Sequence, residues 1–238
     1  MNWLTIKQSL SQLFTSRCEL CFNLKSKIEP LCEACIEELP WLGPACQRCA
    51  LPMAQLGPLL CEACQRLPPV LDETVALFRY AWPLNQFIFQ LKFQRQLYWA
   101  KYLGGLMAYY GTQRTLPQAW IPIPLALGRG QQRGYNQALE LARPLSRAFN
   151  IPILWSICYR VKATSIQGQL TSYAARYRNL KQAFHITQCH LPAHVALVDD
   201  VVTSGATATA LASALKAKGV ARVDLWCCCR TIRKSVFI

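Results

Sequence analysis

Val195-Ala196-Leu197-Val198-Asp199-Asp200-Val201-Val202-Thr203-Ser204-Gly205-Ala206-Thr207 joins an apolar run, two adjacent acids and a loop of small, hydroxylated residues. The chain holds only 12 acidic residues against 26 basic ones, so two acids side by side need a reason. The run His194–Val198 reads as a central strand of a parallel sheet, buried on both faces. In open α/β sheets ligands bind beyond the carboxyl ends of the strands, which is where Asp199 and Asp200 fall. Thr203 to Thr207 then lead into a helix over Ala206–Lys218. Small residues at a helix start offer backbone N–H groups and the positive end of the helix dipole to an anion. The hydroxyls of Thr203, Ser204 and Thr207 add donors. An ionised carboxylate accepts from both hydroxyls of a vicinal diol. A diol on the acids and a phosphate monoester on the loop together describe a ribose 5-phosphate. The plainer alternative makes the two aspartates strand-end residues, one of them a helix N-cap.

Outward from this stretch, strand and helix signals alternate. Thr74–Ala81, Ala119–Leu125, Ile153–Val161, His194–Asp199 and Arg222–Cys229 read as strands. Leu84–Phe93, Gln96–Tyr110, Asn136–Phe149, Tyr173–Ala183 and Ala206–Lys218 read as helices, with Pro144 expected to kink its helix or to start it after a break. That alternation predicts an α/β domain with a parallel sheet covered on both faces. Leu67-Pro68-Pro69 marks a boundary, giving a small module at 1–67 and the α/β domain at 68–238.

The small module carries four C-x-x-C units: Cys18/Cys21, Cys32/Cys35, Cys46/Cys49 and Cys61/Cys64, separated by ten, ten and eleven residues. One such turn aims two sulfurs at a metal, and a second completes a tetrahedron of thiolates. A redox role expects a single C-x-x-C beside a βαβ unit, not an array. The eight cysteines therefore read as ligands of two structural zinc ions. Sequential pairing, the first two units on one ion and the last two on the other, is the simpler arrangement; a cross-braced one stays open. About seventy residues with few large apolar side chains cannot fold on core burial alone, so metal binding is part of the folding free energy. Cys158, Cys189, Cys227, Cys228 and Cys229 lack such spacing and read as small core residues.

Charge separates the two parts. Residues 1–73 hold 6 basic and 8 acidic side chains, a net of −2; residues 74–238 hold 20 and 4, a net of +16. Eight thiolates on two Zn²⁺ take the module to −6. A domain at +16 repels itself unless it meets anions. Lys92 to Tyr102 interleaves basic and aromatic residues, as a groove for single-stranded DNA does, although Trp99, Tyr102, Leu103, Leu106 and Tyr110 also recur at the helical spacing of core residues. Tyr173 to Arg178 is a second such run. No segment reaches the ~18 uninterrupted apolar residues of a membrane span. Trp3, Leu4, Ile6, Leu10, Leu13 and Phe14 suggest an amphipathic helix rather than a signal peptide, and the expected location is cytoplasmic.

The ordered motif, four apolar residues, Asp-Asp, two apolar residues and T-S-G-x-T, resembles the phosphoribosyl pyrophosphate (PRPP) loop of type I phosphoribosyltransferases. Leu91-Lys92-Phe93, Ile121-Pro122-Ile123-Pro124-Leu125, Arg133-Gly134-Tyr135-Asn136-Gln137 and the run from Arg160 to Phe184 are similar to further elements of one family. With the cysteine array, the chain resembles the ComF (competence protein F) family of double-zinc-ribbon, phosphoribosyltransferase-like proteins, whose relatives include gluconate- and DNA-utilisation proteins. The resemblance implies a role in natural transformation or in the use of incoming DNA. It implies that Asp199 and Asp200 contact the ribose hydroxyls of PRPP, and that Thr203, Ser204, Gly205, Ala206 and Thr207 hold the 5-phosphate. It further implies that Arg129 and Arg133 approach the pyrophosphate, and that Arg160 to Arg178 form a loop folding over the ligand. Asp199, Asp200, Arg160 and Arg178 are then the candidate catalytic residues, with Mg²⁺ entering on the pyrophosphate. Three roles follow: a transferase moving the ribosyl group to an unidentified acceptor, a PRPP-responsive binder of single-stranded DNA, or an adaptor between DNA-import and recombination proteins. His185, His190 and His194 crowd one short stretch and read as loop and strand-start residues, not general bases.

Overall fold

The computed structural model describes residues 16–25, 29–53, 59–125, 134–160, 184–187 and 190–232. The expectations for the N-terminal amphipathic segment, the helix at Tyr173–Ala183, Cys189, Arg129, Arg133 and Arg178 lie outside these residues. At the N-terminal end, β1 (Ser16–Arg17) and β2 (Leu24–Lys25) pair antiparallel around the first C-x-x-C turn. Two one-turn helices, α1 (Glu33–Glu37) and α2 (Glu62–Arg66), begin at Cys32 and Cys61 in their N-cap positions. The identical Cys-Glu-Ala-Cys motifs thus fold identically, each placing its second sulfur inside a helical turn.

The α/β domain is built on four parallel strands: β3 (Glu73–Arg79), β4 (Ala119–Pro122), β7 (His194–Val202) and β8 (Arg222–Arg230), in the order β3-β8-β7-β4. The apolar run at 194–198 becomes the central β7, as its lack of alternation requires. Val195 and Leu197 pack on one face, and Ala196 and Val198 on the other. Helices α3 (Leu84–Phe93), α4 (Tyr98–Gly111) and α5 (Gln137–Phe149) cover one face through Leu84, Phe87, Trp99, Leu103, Leu141 and Leu145. Helix α6 (Ala206–Ala217) covers the other through Ala208, Leu211 and Leu215. This is the expected two-sided parallel sheet.

One expectation needs correction, and one alternative is decided. Ile153–Val161 is not one strand. Ile153 makes a single parallel bridge to Trp120, and β5 (Cys158–Arg160) then turns away to pair antiparallel with β6 (Phe184–Ile186). The apolar residues of this stretch serve two different partners, and the exposed Trp155 lies between them. Pro144 does not start its helix. It sits in the interior of α5, which is capped by Asn136 accepting from the Ala138 N–H at 3.0 Å. Gly104 of α4 allows the close approach there, since a Cβ at that position would lie 2.6 Å from the Leu141 carbonyl and 3.0 Å from Pro144.

The cysteine module is bound to the edge of this sheet by main-chain hydrogen bonds. Leu42 N–H donates to Leu77 O at 2.8 Å, Arg79 N–H to Pro40 O at 2.8 Å and Thr74 N–H to Gln47 O at 2.8 Å. The Trp41 ring packs against Phe78, tilted at 44° with ring centroids 4.6 Å apart. At the opposite edge Trp120 N–H donates to Pro152 O and Leu154 N–H to Trp120 O, so both outer strands are covered.

Candidate functional site

Strand β7 runs through both acids and ends at Val202, three residues beyond the expected end. Asp200 is 3 % exposed and Asp199 half-buried. The Asp200 N–H donates to Asp199 Oδ1 at 2.9 Å, which curls the first carboxylate back over the second residue. Lys92, in the last turn of α3, forms an ion pair with Asp200 Oδ2. Burial, and after it the neighbouring Asp200 carboxylate, push the Asp199 carboxyl well above the ordinary range, with Lys92 acting in the opposite sense. A protonated carboxyl donates as well as accepts, so the pair can bind a diol in either hydrogen-bonding sense.

Beyond Val202 the chain makes the short turn that the sequence motif predicts. Gly205 takes φ +73° at the N-cap of α6, a left-handed conformation that glycine adopts without steric cost. Glycine has no side chain to cap the first turn, so the amide groups there face the loop; Ser204 Oγ accepts from Ala206 N–H at a long 3.4 Å. Thr203 and Ser204 are exposed, and Gly205, Ala206 and Thr207 are half-buried. Acids, loop and helix start therefore lie together at the C-terminal edge of the sheet.

The cysteines assemble into two groups, Cys18/Cys21/Cys32/Cys35 and Cys46/Cys49/Cys61/Cys64, whose sulfurs all lie within 4.8 Å of one another. This is the sequential pairing. Cys21 Sγ and Cys32 Sγ are 3.7 Å apart, as are Cys49 Sγ and Cys61 Sγ. Four sulfurs at a Zn–S length of about 2.3 Å around a tetrahedral ion have edges of about 3.8 Å. The residues fit the metal. Backbone donors add to the fit: Cys32 N–H points at Cys18 Sγ at 3.4 Å and Cys61 N–H at Cys46 Sγ at 3.3 Å. Burial raises the Cys18 thiol, but the N–H groups of Cys21, Leu20 and Cys32 outweigh it and bring the value down to about 6. Cys46 falls to about 7 for the same reason. Burial and the crowding of neighbouring thiols push Cys35 and Cys64 up. A divalent cation relieves that conflict, and with four cysteine ligands it has no open position for water, so both sites are structural.

Residues 9–65 match the double zinc ribbon domain family. Over 180 residues the chain is 37% identical to the DNA utilization protein YhgH of Escherichia coli (strain K12), covering 73% of this chain and 79% of that protein. It is 38% identical over 175 residues to competence protein F of Haemophilus influenzae, covering 70% and 76%. The chain belongs to the ComF family. In this chain the cysteine module is set against the α/β domain by main-chain hydrogen bonds.

In this ComF-family chain the other expected residues are placed less centrally. Arg160 lies on β5, with its guanidinium 5.9 Å from the Phe184 ring centroid, in the hairpin that packs on the α6 face. The basic–aromatic run 92–102 is not one surface strip. Trp99 is fully buried and stacks on Phe87 with centroids 3.7 Å apart, while Phe93 and Tyr98 are exposed. Helical spacing thus puts Trp99 in the core and leaves Phe93 and Tyr98 at the surface. His194 Nε2 lies 2.7 Å from Asp224 Oδ2 near the opposite end of the sheet. Burial raises the Cys158 thiol to about 12, and Cys227 and Cys229 are also driven up, as expected of inert core cysteines.

Two residues near the site escaped the sequence reading. Lys92 was visible in Leu91-Lys92-Phe93 and at the head of the basic–aromatic run, with nothing local to show that its partner is an aspartate on β7. Arg230, 7 % exposed at the end of β8, reaches the loop and the second cysteine group together.

Proposed function

We propose that this protein binds PRPP at Asp199–Thr207 and handles single-stranded DNA during DNA uptake or utilisation, on the cytoplasmic side of the membrane. The observation that carries the ligand half is the convergence at one strand end of the Asp199–Asp200 pair, the Lys92 counter-charge and the left-handed Gly205 turn opening α6. In this reading the acids take the ribose hydroxyls, and the loop amides take the 5-phosphate. The pyrophosphate extends towards Arg129 and Arg133, and Mg²⁺ arrives bound mostly by pyrophosphate oxygens and water. The DNA half is supported by the +16 charge of residues 74–238 and by relatives named for competence and DNA utilisation. Among the described residues no helix is long and apolar enough to cross a membrane. The boundary at Leu67-Pro68 is part of the same proposal, with residues 1–67 as a scaffold clamped to β3 and not a free docking module.

The test is a titration of PRPP–Mg²⁺ into wild-type protein and the Asp199→Asn/Asp200→Asn double variant, with pyrophosphate release followed in the presence of single-stranded DNA. Saturable binding to wild type that the variant loses supports the site; equal behaviour of the two proteins sinks it. Release of pyrophosphate distinguishes a transferase from a binder. Affinity for single strands should fall steeply with added salt, and a flat response removes the DNA half.

A further inference from the structure

Arg230 ties three separate pieces of main chain together. Its Nε donates to Cys49 O at 2.9 Å, and its Nη1 donates to Val202 O at 3.1 Å, to Thr203 O and to Thr231 O at 3.4 Å. Cys49 is a ligand of the second cysteine group; Val202 and Thr203 are the last residue of β7 and the first of the phosphate loop. A cavity of about 530 Å³ lies between these parts, lined by Cys49 and Cys64 on one side and by Ser204, Gly205 and Thr209 on the other. The rigid guanidinium fork suits this task, because its donors point at fixed angles to separate acceptors. Four thiolates on one Zn²⁺ leave a net charge of −2, so a buried cation on the Cys49 carbonyl is also favoured electrostatically.

We propose that Arg230 is a positioning residue that couples the second zinc site to the phosphate loop. Metal on Cys46, Cys49, Cys61 and Cys64 fixes the Cys49 carbonyl; that carbonyl and the Val202 and Thr203 carbonyls fix the guanidinium; the guanidinium sets the course of the chain into Gly205. Coupling of this kind is reciprocal: a phosphate ligand that orders the loop must hold the zinc more tightly. The ligand half rests on the PRPP reading above; the link between metal and loop does not.

The experiment uses the zinc-loaded full chain, as wild type, Arg230→Met and Arg230→Lys. Amide hydrogen exchange is followed over residues 203–209 without ligand. Chelator-driven alkylation is followed at Cys49 and Cys64, with Cys21 and Cys35 as internal controls. PRPP–Mg²⁺ is titrated into each protein. The expected result is faster exchange over 203–209 and faster alkylation of Cys49 and Cys64 in Arg230→Met, with Cys21 and Cys35 unchanged. PRPP affinity drops about tenfold, and PRPP slows alkylation of the second group in wild type only. If Arg230→Met loses both zinc ions, Arg230→Lys decides, since it keeps the charge and loses the fork. Unchanged exchange and alkylation in the variants overturn the proposal. If wild type fails to bind PRPP, the ligand reading falls, and exchange and alkylation still decide the coupling.

Discussion

The two ends of the parallel sheet bury the same kinds of residue and treat them in opposite ways. At the N-terminal end, Glu73 and Asp224 are 5 % and 1 % exposed, and every carboxylate oxygen has a cationic or imidazole neighbour. Glu73 accepts from Arg114 at 2.9 Å and from Arg222 at 2.8 Å; Asp224 accepts from Arg222 at 3.0 Å and meets His194 at 2.7 Å. At the C-terminal end, Asp199 and Asp200 stand side by side, and among the described residues the ion pair there is that of Lys92 with Asp200. The first arrangement satisfies its charges within the fold. The second retains like-charge repulsion, a perturbation of the kind that clusters at functional sites.

The largest expected effect breaks the satisfied end. Asp224→Ala leaves Arg222 and His194 without their shared partner and should cost about 3–5 kcal/mol in urea unfolding. PRPP titration below the unfolding transition should still give wild-type affinity, since the site lies at the other end of the strands. A binding defect as large as the stability defect would mean that the two ends are not independent.

A smaller effect tests the surface beside the unsatisfied end. Phe93 is 61 % exposed, one residue from Lys92, with its ring 5.1 Å from that of Phe89. Phe93→Ala should weaken single-strand binding by about 1 kcal/mol, as the loss of one stacked base does, while shifting stability by less than about 0.5 kcal/mol. Unchanged affinity in a fluorescence-anisotropy titration would remove this helix end from the DNA path.

The smallest effect has the most informative sign. Because the folded-state value of Asp199 is raised, its contribution to stability is present below the unfolded value and is lost as pH rises through the folded one. Asp199→Asn should therefore raise the melting temperature at pH 7, by about 2–4 °C for each kcal/mol relieved, while losing PRPP affinity. The advantage should close as pH falls towards the unfolded carboxylate value of about 3.9. A variant less stable than wild type at neutral pH would show that the carboxylate is satisfied after all.

What the sequence displayed and what it hid follow from the range of the interactions. Central β7 was legible because full burial demands an unbroken apolar run, and the metal groups because their ligands are fixed by local turns. The hairpin at Cys158–Arg160 was not, because its partner strand begins at Phe184, beyond a long intervening segment. Lys92 and Arg230 were hidden for the same reason: each looks like one more surface cation until the fold brings its acceptor to it, and Arg230 finds Cys49 across 181 positions. Pro144 left two alternatives open because local propensity does not see the partner helix, whose Gly104 packs closely against it.

The main-chain bonds from Pro40, Leu42 and Gln47 to β3 have a consequence for the cell. They occupy a strand edge that would otherwise be a template for another chain, and the segment that supplies them depends on zinc for its shape. Under zinc starvation the uncovered β3 edge should therefore pair with other copies of the chain, which sedimentation of the chelated protein against the zinc-loaded one would show.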